Sequence, residues 1–252
     1  MARRLREIRD GEIDSQVFCE GERIVAELFE SGLKPTAIYS SEKLAKTAAM
    51  LSKRGKNPIP HYKLDASVMD FCSDLATPPG IIATAALPKS VSFEGADYQG
   101  GFVLVLDDVQ LPQNVGALIR SAEAAGVERV LLTGASANPW GPKAVRGSVG
   151  SVFRVPVHRM TRLSDIIALL KKNNVKVMAA TQNGDKNYFD EDWRGRAALV
   201  VGSEGRGFRP EDLKLMDRTV TIPMAGKVES LNAGIAAAVC LFEAARQRNH
   251  GS

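Results

Sequence analysis

The feature that most limits how this chain can fold is an unbroken apolar run, Phe102-Val103-Leu104-Val105-Leu106, entered through Gly100-Gly101. Five apolar side chains in a row, with no polar alternation, suit a parallel strand covered on both faces. Further strand candidates follow at 129–133, 152–157, 175–181, 197–201 and 218–222. Helical patterns lie near 115–125, 163–173 and 210–216, and a last helix runs from 231 to 248. This alternation predicts an α/β fold built on a doubly wound parallel sheet.

The stretch before it reads as a smaller α/β unit. A helix over 21–31 places Ile24, Val25, Leu28 and Phe29 on one stripe. A short strand at Ala37-Ile38-Tyr39 and a helix from Glu42 to Arg54, ending at Gly55, come next. Ile59 to Leu64 reads as a strand and Ala66 to Asp74 as a short helix. Pro78-Pro79-Gly80 is a turn before a compact strand at 81–85. From Pro88 to Gly101 periodicity fades and Ser, Gly, Asp and Gln appear, as in a connecting segment. The expected domains are therefore 1–90, a linker at 91–101, and 102–252.

Charge is unevenly spread. Residues 1–100 hold 13 Lys and Arg against 14 Asp and Glu, while residues 101–252 hold 20 against 15. The net charge of +4 is thus a surplus of the second part, which suits a polyanionic partner without naming one. Cys19, Cys72 and Cys240 are scattered, as are His61, His158 and His250, so neither a disulfide framework nor a metal centre is expected. No apolar run approaches the roughly 20 residues of a membrane span. The basic start, Met1-Ala2-Arg3-Arg4-Leu5-Arg6, lacks the apolar core of a secretory signal. A cytoplasmic location is the expectation.

Three loops, each directly after a strand of the second domain, occupy the positions where open parallel sheets bind ligands. The first runs from Asp107 to Arg120; Asn114 reads as a helix cap, and Gly116 and Arg120 share a helix face. The second, Gly202-Ser203-Glu204-Gly205-Arg206-Gly207, matches neither the phosphate-cradling Gly-Lys-Ser/Thr ending nor the dinucleotide spacing GxGxxG. The third runs from Ile222-Pro223-Met224 through Gly226 to Ser230-Leu231-Asn232, with Ser230 as the candidate cap of the last helix. Taken singly, each is explained by an ordinary turn and cap.

Together, in this order, they resemble the three signature motifs of the SpoU-type (TrmH-like) branch of the SPOUT methyltransferases. Asn114, Gly116 and Arg120 match the first; Gly202, Glu204 and Gly205 the second; Ile222, Pro223, Met224, Gly226, Ser230, Leu231 and Asn232 the third. Lys143 to Pro156, with Arg146, Ser148, Gly150 and Phe153, is similar to the family's segment between the first two motifs. Looser matches, Glu20-Gly21-Glu22-Arg23 and Thr77-Pro78-Pro79-Gly80-Ile81, liken the first domain to the family's ribosomal-protein-like substrate-binding domain. Ala233-Gly234 departs from the Val-Ser of many members, which bears on helix packing.

The resemblance implies a deep trefoil knot in the C-terminal domain, a topology no general rule anticipates. It implies an S-adenosylmethionine-dependent RNA 2′-O-ribose methyltransferase, acting as a homodimer through that domain, on ribosomal RNA first, with a transfer RNA 2′-O-methyltransferase as the alternative. Backbone groups at Gly202, Ile222 and Leu231, with Met224 and Thr181, would hold the donor. Arg120 would carry the chemistry, with Asn114, Glu204, Ser230 and Asn232 orienting it and the ribose. A guanidinium is a poor base, so Arg120 is expected to stay charged, bind the adjacent phosphate and stabilise the forming alkoxide. Lys143, Arg146 and Arg154 are candidates for RNA phosphate contacts. The rival readings are a non-catalytic RNA-binding homologue, which need not bind the donor, and a small-molecule nucleotide enzyme, which the missing GxGxxG disfavours.

Overall fold

A computed structural model of the chain describes residues 1–54, 57–87, 101–203, 205–228 and 230–249. Contacts divide them into two compact units. The first holds residues 1–87 together with Asn138–Arg154, and the second holds 101–137 and 155–249. By contact, 138–154 groups with the N-terminal unit.

The N-terminal elements are α1 (Ala2–Asp10), β1 (Gln16–Glu20), α2 (Glu22–Glu30), β2 (Pro35–Ser40), α3 (Ala45–Ser52), β3 (His61–Lys63), α4 (Ala66–Cys72) and β4 (Ile81–Ala86). The strands form one sheet in the order β1-β4-β2-β3, antiparallel except for the β2–β3 pair. Leu5 and Ile8 of α1 pack with Phe18, Leu64, Met69, Cys72 and Ile82 into its core. That first helix was not anticipated: its apolar pair is set among four arginines, and it ends at Gly11, whose left-handed φ of 80° lets it cap the helix.

The remaining elements are β5 (Phe102–Leu106), α5 (Pro112–Ala124), β6 (Arg129–Thr133), α6 (Pro142–Ser148), β7 (Val157–Met160), α7 (Leu163–Lys172), β8 (Lys176–Ala180), β9 (Lys186–Asn187), β10 (Ala197–Val201), α8 (Pro210–Leu213), β11 (Arg218–Thr221) and α9 (Ala233–Asn249). Seven described strands make a wholly parallel sheet in the order β7-β6-β5-β10-β8-β11-β9. Every residue of β5, β6 and β10 is buried; β5 and β10 are wholly apolar, as burial on both faces requires, while β6 begins and ends on the buried polar residues Arg129 and Thr133. The chain leaves β5 towards β6 and β7 on one side and later returns to place β10 on the other. The sheet therefore has a switch point between β5 and β10.

Two expected elements fall elsewhere. Residues 151–153 form a single helical turn after Gly150, which has a φ of 82°, and the strand begins only at Val157, beyond Pro156. Val152, Phe153 and Val155 are buried, so their apolar pattern reports a packed turn instead of a strand. Helix α5 starts at Pro112 with Leu111 as its cap position, which puts Asn114 inside the first turn. The connection expected at 91–101 lies, apart from Gly101, outside the described residues, as does the expected helix end at Gly55.

Candidate active site

The carboxyl ends of β8, β10 and β11 open onto one cleft of about 950 Å³. It is lined by the loops that follow these strands and by the start of α9. Of the candidate donor-binding residues, Thr181, Gly202, Ile222, Met224 and Leu231 all line it, and so do Ser230 and Asn232. Sequence positions 181, 202, 222 and 231 are thus brought together by parallel pairing alone, because each loop leaves the same edge of one sheet.

Local backbone chemistry shapes this cleft. Beyond the buried β10, Ser203 and Gly207 form an antiparallel bridge, with the Gly207 N–H donating to the Ser203 carbonyl at 3.0 Å. Gly207 adopts a φ of 61°, which closes the loop tightly. Gly202 is needed for space: a Cβ there would stand 3.0 Å from two carbons of the Phe208 ring. Between β8 and β11, the Thr181 N–H donates to the Val220 carbonyl at 2.9 Å, and the Thr221 hydroxyl donates to the Gln182 carbonyl at 2.7 Å. On the far side the Asn232 side chain accepts from the N–H groups of Gly234 and Ile235, at 2.9 and 3.3 Å. Asn232, not Ser230, is therefore the cap of α9.

The residues fit S-adenosylmethionine on two counts. The Thr181 Oγ1 is buried without a hydrogen-bond partner among the described residues, a state that a polar ligand group in the cleft would relieve. Gly202 leaves a cradle beside Phe208 that any side chain would fill. The lining mixes Ala180, Val201, Phe208, Leu213, Ile222 and Val228 with exposed loop backbone. Such walls take up an apolar ring while the loops offer N–H and C=O groups to its edge.

Asn114 and Arg120 stand apart. Both lie on α5, Asn114 half-buried and Arg120 exposed, and neither lines the cleft of its own chain. Helix α5 packs against α9. The loop before α5 is nevertheless fastened to the cleft wall, since the Asp107 N–H donates to the Val201 carbonyl at 2.8 Å. The Asp107 carboxyl is half-buried, and loss of hydration pushes its pKa above the ordinary carboxylate value. Next to it, Asp108 has a left-handed φ of 55° and pairs through Oδ2 with Arg206 at 2.7 Å. Glu204 lies outside the described residues.

The three basic candidates differ among themselves. Lys143 is exposed on α6. Arg146 is three-quarters buried and pairs with Asp74 at 2.6 Å and Glu20 at 3.9 Å, and Arg154 pairs with Glu27 at 2.6 Å, all within the N-terminal unit. Glu20 is fully buried and also accepts from the Ser73 hydroxyl and the Asp74 N–H. Sequence reasoning assigned no role to Arg206, Phe208, Gln182 or Asn183, which all line the cleft. Only the proximity of Arg206 and Phe208 to the glycine loop hinted at them. Among the described residues no group of His, Cys, Asp and Glu could hold a metal ion, and no helix is long and apolar enough to cross a membrane.

Comparison with known proteins gives the same arrangement a family. A model of the SpoU rRNA Methylase family matches residues 101–242. The 23S rRNA (guanosine-2′-O-)-methyltransferase RlmB of Escherichia coli K12 is 38% identical over 190 residues, covering 72% of this chain and 76% of that protein. The SpoU methyltransferase AviRb of Streptomyces viridochromogenes, solved with the cofactor AdoMet, superposes with a TM-score of 0.88 at 25% identity, covering 100% of this chain and 98% of its own. An RNA 2′-O ribose methyltransferase superposes with a TM-score of 0.81 at 28% identity, over 97% and 93%. The second and third motif loops meet in one cleft, the matched region spans more than half the sequence, and the chain therefore belongs to the SpoU rRNA methylase family.

Proposed function

We propose that this protein transfers a methyl group from S-adenosylmethionine to a ribose 2′-hydroxyl of ribosomal RNA. The observation that carries the reading is the convergence of Thr181, Gly202, Ile222, Met224 and Leu231 on one cleft in a chain 38% identical to RlmB. Bound there, the donor supplies a methyl group on a positively charged sulfur. Backbone groups of Gly202, Ile222 and Leu231 hold its adenosine part, Thr181 offers its hydroxyl, and Met224 contributes an apolar wall.

The acceptor hydroxyl is a weak nucleophile until negative charge on its oxygen is stabilised. Arg120 binds the neighbouring phosphate through its planar fork and stabilises the forming alkoxide, while water takes the proton. Asn114, Glu204, Ser230 and Asn232 orient the ribose and Arg120. Arg120 stands outside the cleft of its own chain, so the reading includes a homodimer in which it serves the partner's cleft. The exposed Ile235 and Phe242, seven residues apart on α9, support an interface along that helix, on which α5 packs. Threading of the C-terminal segment into a trefoil knot, a cytoplasmic location, and RNA contacts by the N-terminal domain, Lys143, Arg146 and Arg154 belong to the same reading.

Mapping 2′-O-methyl positions in total RNA from cells with and without the gene tests it. One ribosomal position should lose its methyl group in the deleted strain. Loss confined to transfer RNA, or no loss at all, would contradict the assignment.

A further inference from the structure

Among the described side chains that line the cleft, Arg206 alone is charged; the others are apolar or neutral. It sits on the Ser203–Gly207 loop, four residues past Gly202, and its side chain is 75% exposed. One edge of its guanidinium is fixed, because Nη2 donates to Asp108 Oδ2 at 2.7 Å across 98 positions of sequence. Asp108 is itself anchored: its N–H donates to the Thr133 hydroxyl at 3.1 Å, and its Oδ1 accepts from the Gln110 amide at 3.0 Å. Its left-handed backbone is a conformation that few residues other than Gly, Asn and Asp adopt readily. A surface arginine is ordinarily loose. This one is held against a fixed carboxylate on a tight loop, with the rest of its five donors unused by described groups.

The donor assigned to the cleft carries a sulfonium, an ammonium and a single carboxylate. The ring and ribose suit the apolar and backbone-lined parts, which leave the carboxylate in need of a cation. Resting on the donor assignment above, we infer that Arg206 is the receptor for the methionine carboxylate of S-adenosylmethionine, with Asp108 setting its orientation. A charge-assisted pair of this kind discriminates between donors with and without the amino-acid part. It does so without touching the adenosine subsite.

Calorimetric titration of the full chain and of Arg206→Gln tests this with two probes, S-adenosylmethionine and 5′-methylthioadenosine, which keeps the adenosine and the sulfur but lacks the amino acid. The side chain is exposed, so the substitution leaves the fold intact, and a melting curve verifies that. Arg206→Gln should bind S-adenosylmethionine about 10- to 100-fold more weakly and 5′-methylthioadenosine as well as the unaltered chain does. Equal weakening of both probes would make Arg206 a packing element of the loop and overturn the inference. Unchanged binding of both, with a higher KM for RNA, would make it a phosphate contact and overturn it as well. If the unaltered chain bound neither probe, the donor assignment itself would fall, and this inference with it.

Discussion

Gly202 faces the ring of Phe208 so closely that a single added methyl group would stand 3.0 Å from two of its carbons. The contact lies at the end of β10, on the floor of the cleft. Gly202→Ala therefore requires the ring to shift by a few tenths of an ångström at the wall of the cleft. Overpacking of this sort costs about 1–3 kcal/mol of stability. Donor affinity should fall at least about tenfold, and titration calorimetry beside a denaturant melt separates the two effects.

Arg120 is exposed on α5 and absent from its own cleft, so its replacement should spare donor binding. Arg120→Lys keeps the charge but loses the planar fork. Turnover is expected to drop at least about 100-fold, with the S-adenosylmethionine Kd unchanged. A mixed dimer checks the trans arrangement. Coexpressed Arg120→Ala and Gly202→Trp chains, each inactive alone, should regain activity as a heterodimer, which assembles one intact site. Inactive heterodimers would put Arg120 to work in its own chain.

Arg146, a candidate for RNA contact, is engaged with Asp74 and the fully buried Glu20. Among the described residues, removing it leaves Glu20 supported by Ser73 and the Asp74 N–H. Breaking a buried pair is strongly destabilising, but Arg146 keeps a quarter of its side chain in water, so a reduced cost of about 2 kcal/mol applies to Arg146→Ala. Chemical denaturation measures it. A variant as stable as the parent would show that the pairs with Asp74 and Glu20 add little to the fold.

The Asp107 carboxyl is raised by desolvation, so the folded state holds its proton more tightly than the unfolded chain does. Its favourable contribution is complete below the ordinary carboxylate value and is lost as pH rises through the raised one. Asp107→Asn removes that loss. The variant should melt higher than the parent at pH 7, with the difference shrinking as the pH falls towards about 4. A constant difference across that range would show that Asp107 does not titrate as its burial implies.

How much of this was legible beforehand depended on whether the signal was local. Phe102–Leu106 and Ala197–Val201 announced buried parallel strands because every side chain is apolar, and the motif loops followed from their position after strands. Leu5 and Ile8 did not announce α1, since two apolar residues among arginines look like a charged tail. Val152 and Phe153 suggested a strand, but Gly150 and Pro156 confine them to a turn. Moving the cap from Ser230 to Asn232 required knowing where α9 begins. The Arg206–Asp108 pair joins residues 98 positions apart and had no signature in either segment alone.

The central claim is that the cleft delivers a methyl group to a ribose oxygen. The most direct measurement uses purified protein, S-adenosylmethionine labelled in its methyl group, and ribosomal RNA lacking the modification. Alkaline hydrolysis follows, because a methylated 2′-oxygen cannot attack the adjacent phosphate. The account predicts label in alkali-resistant dinucleotides, and its disappearance with Arg120→Lys. Label recovered only in mononucleotides, as base methylation gives, or no transfer at all, would contradict it.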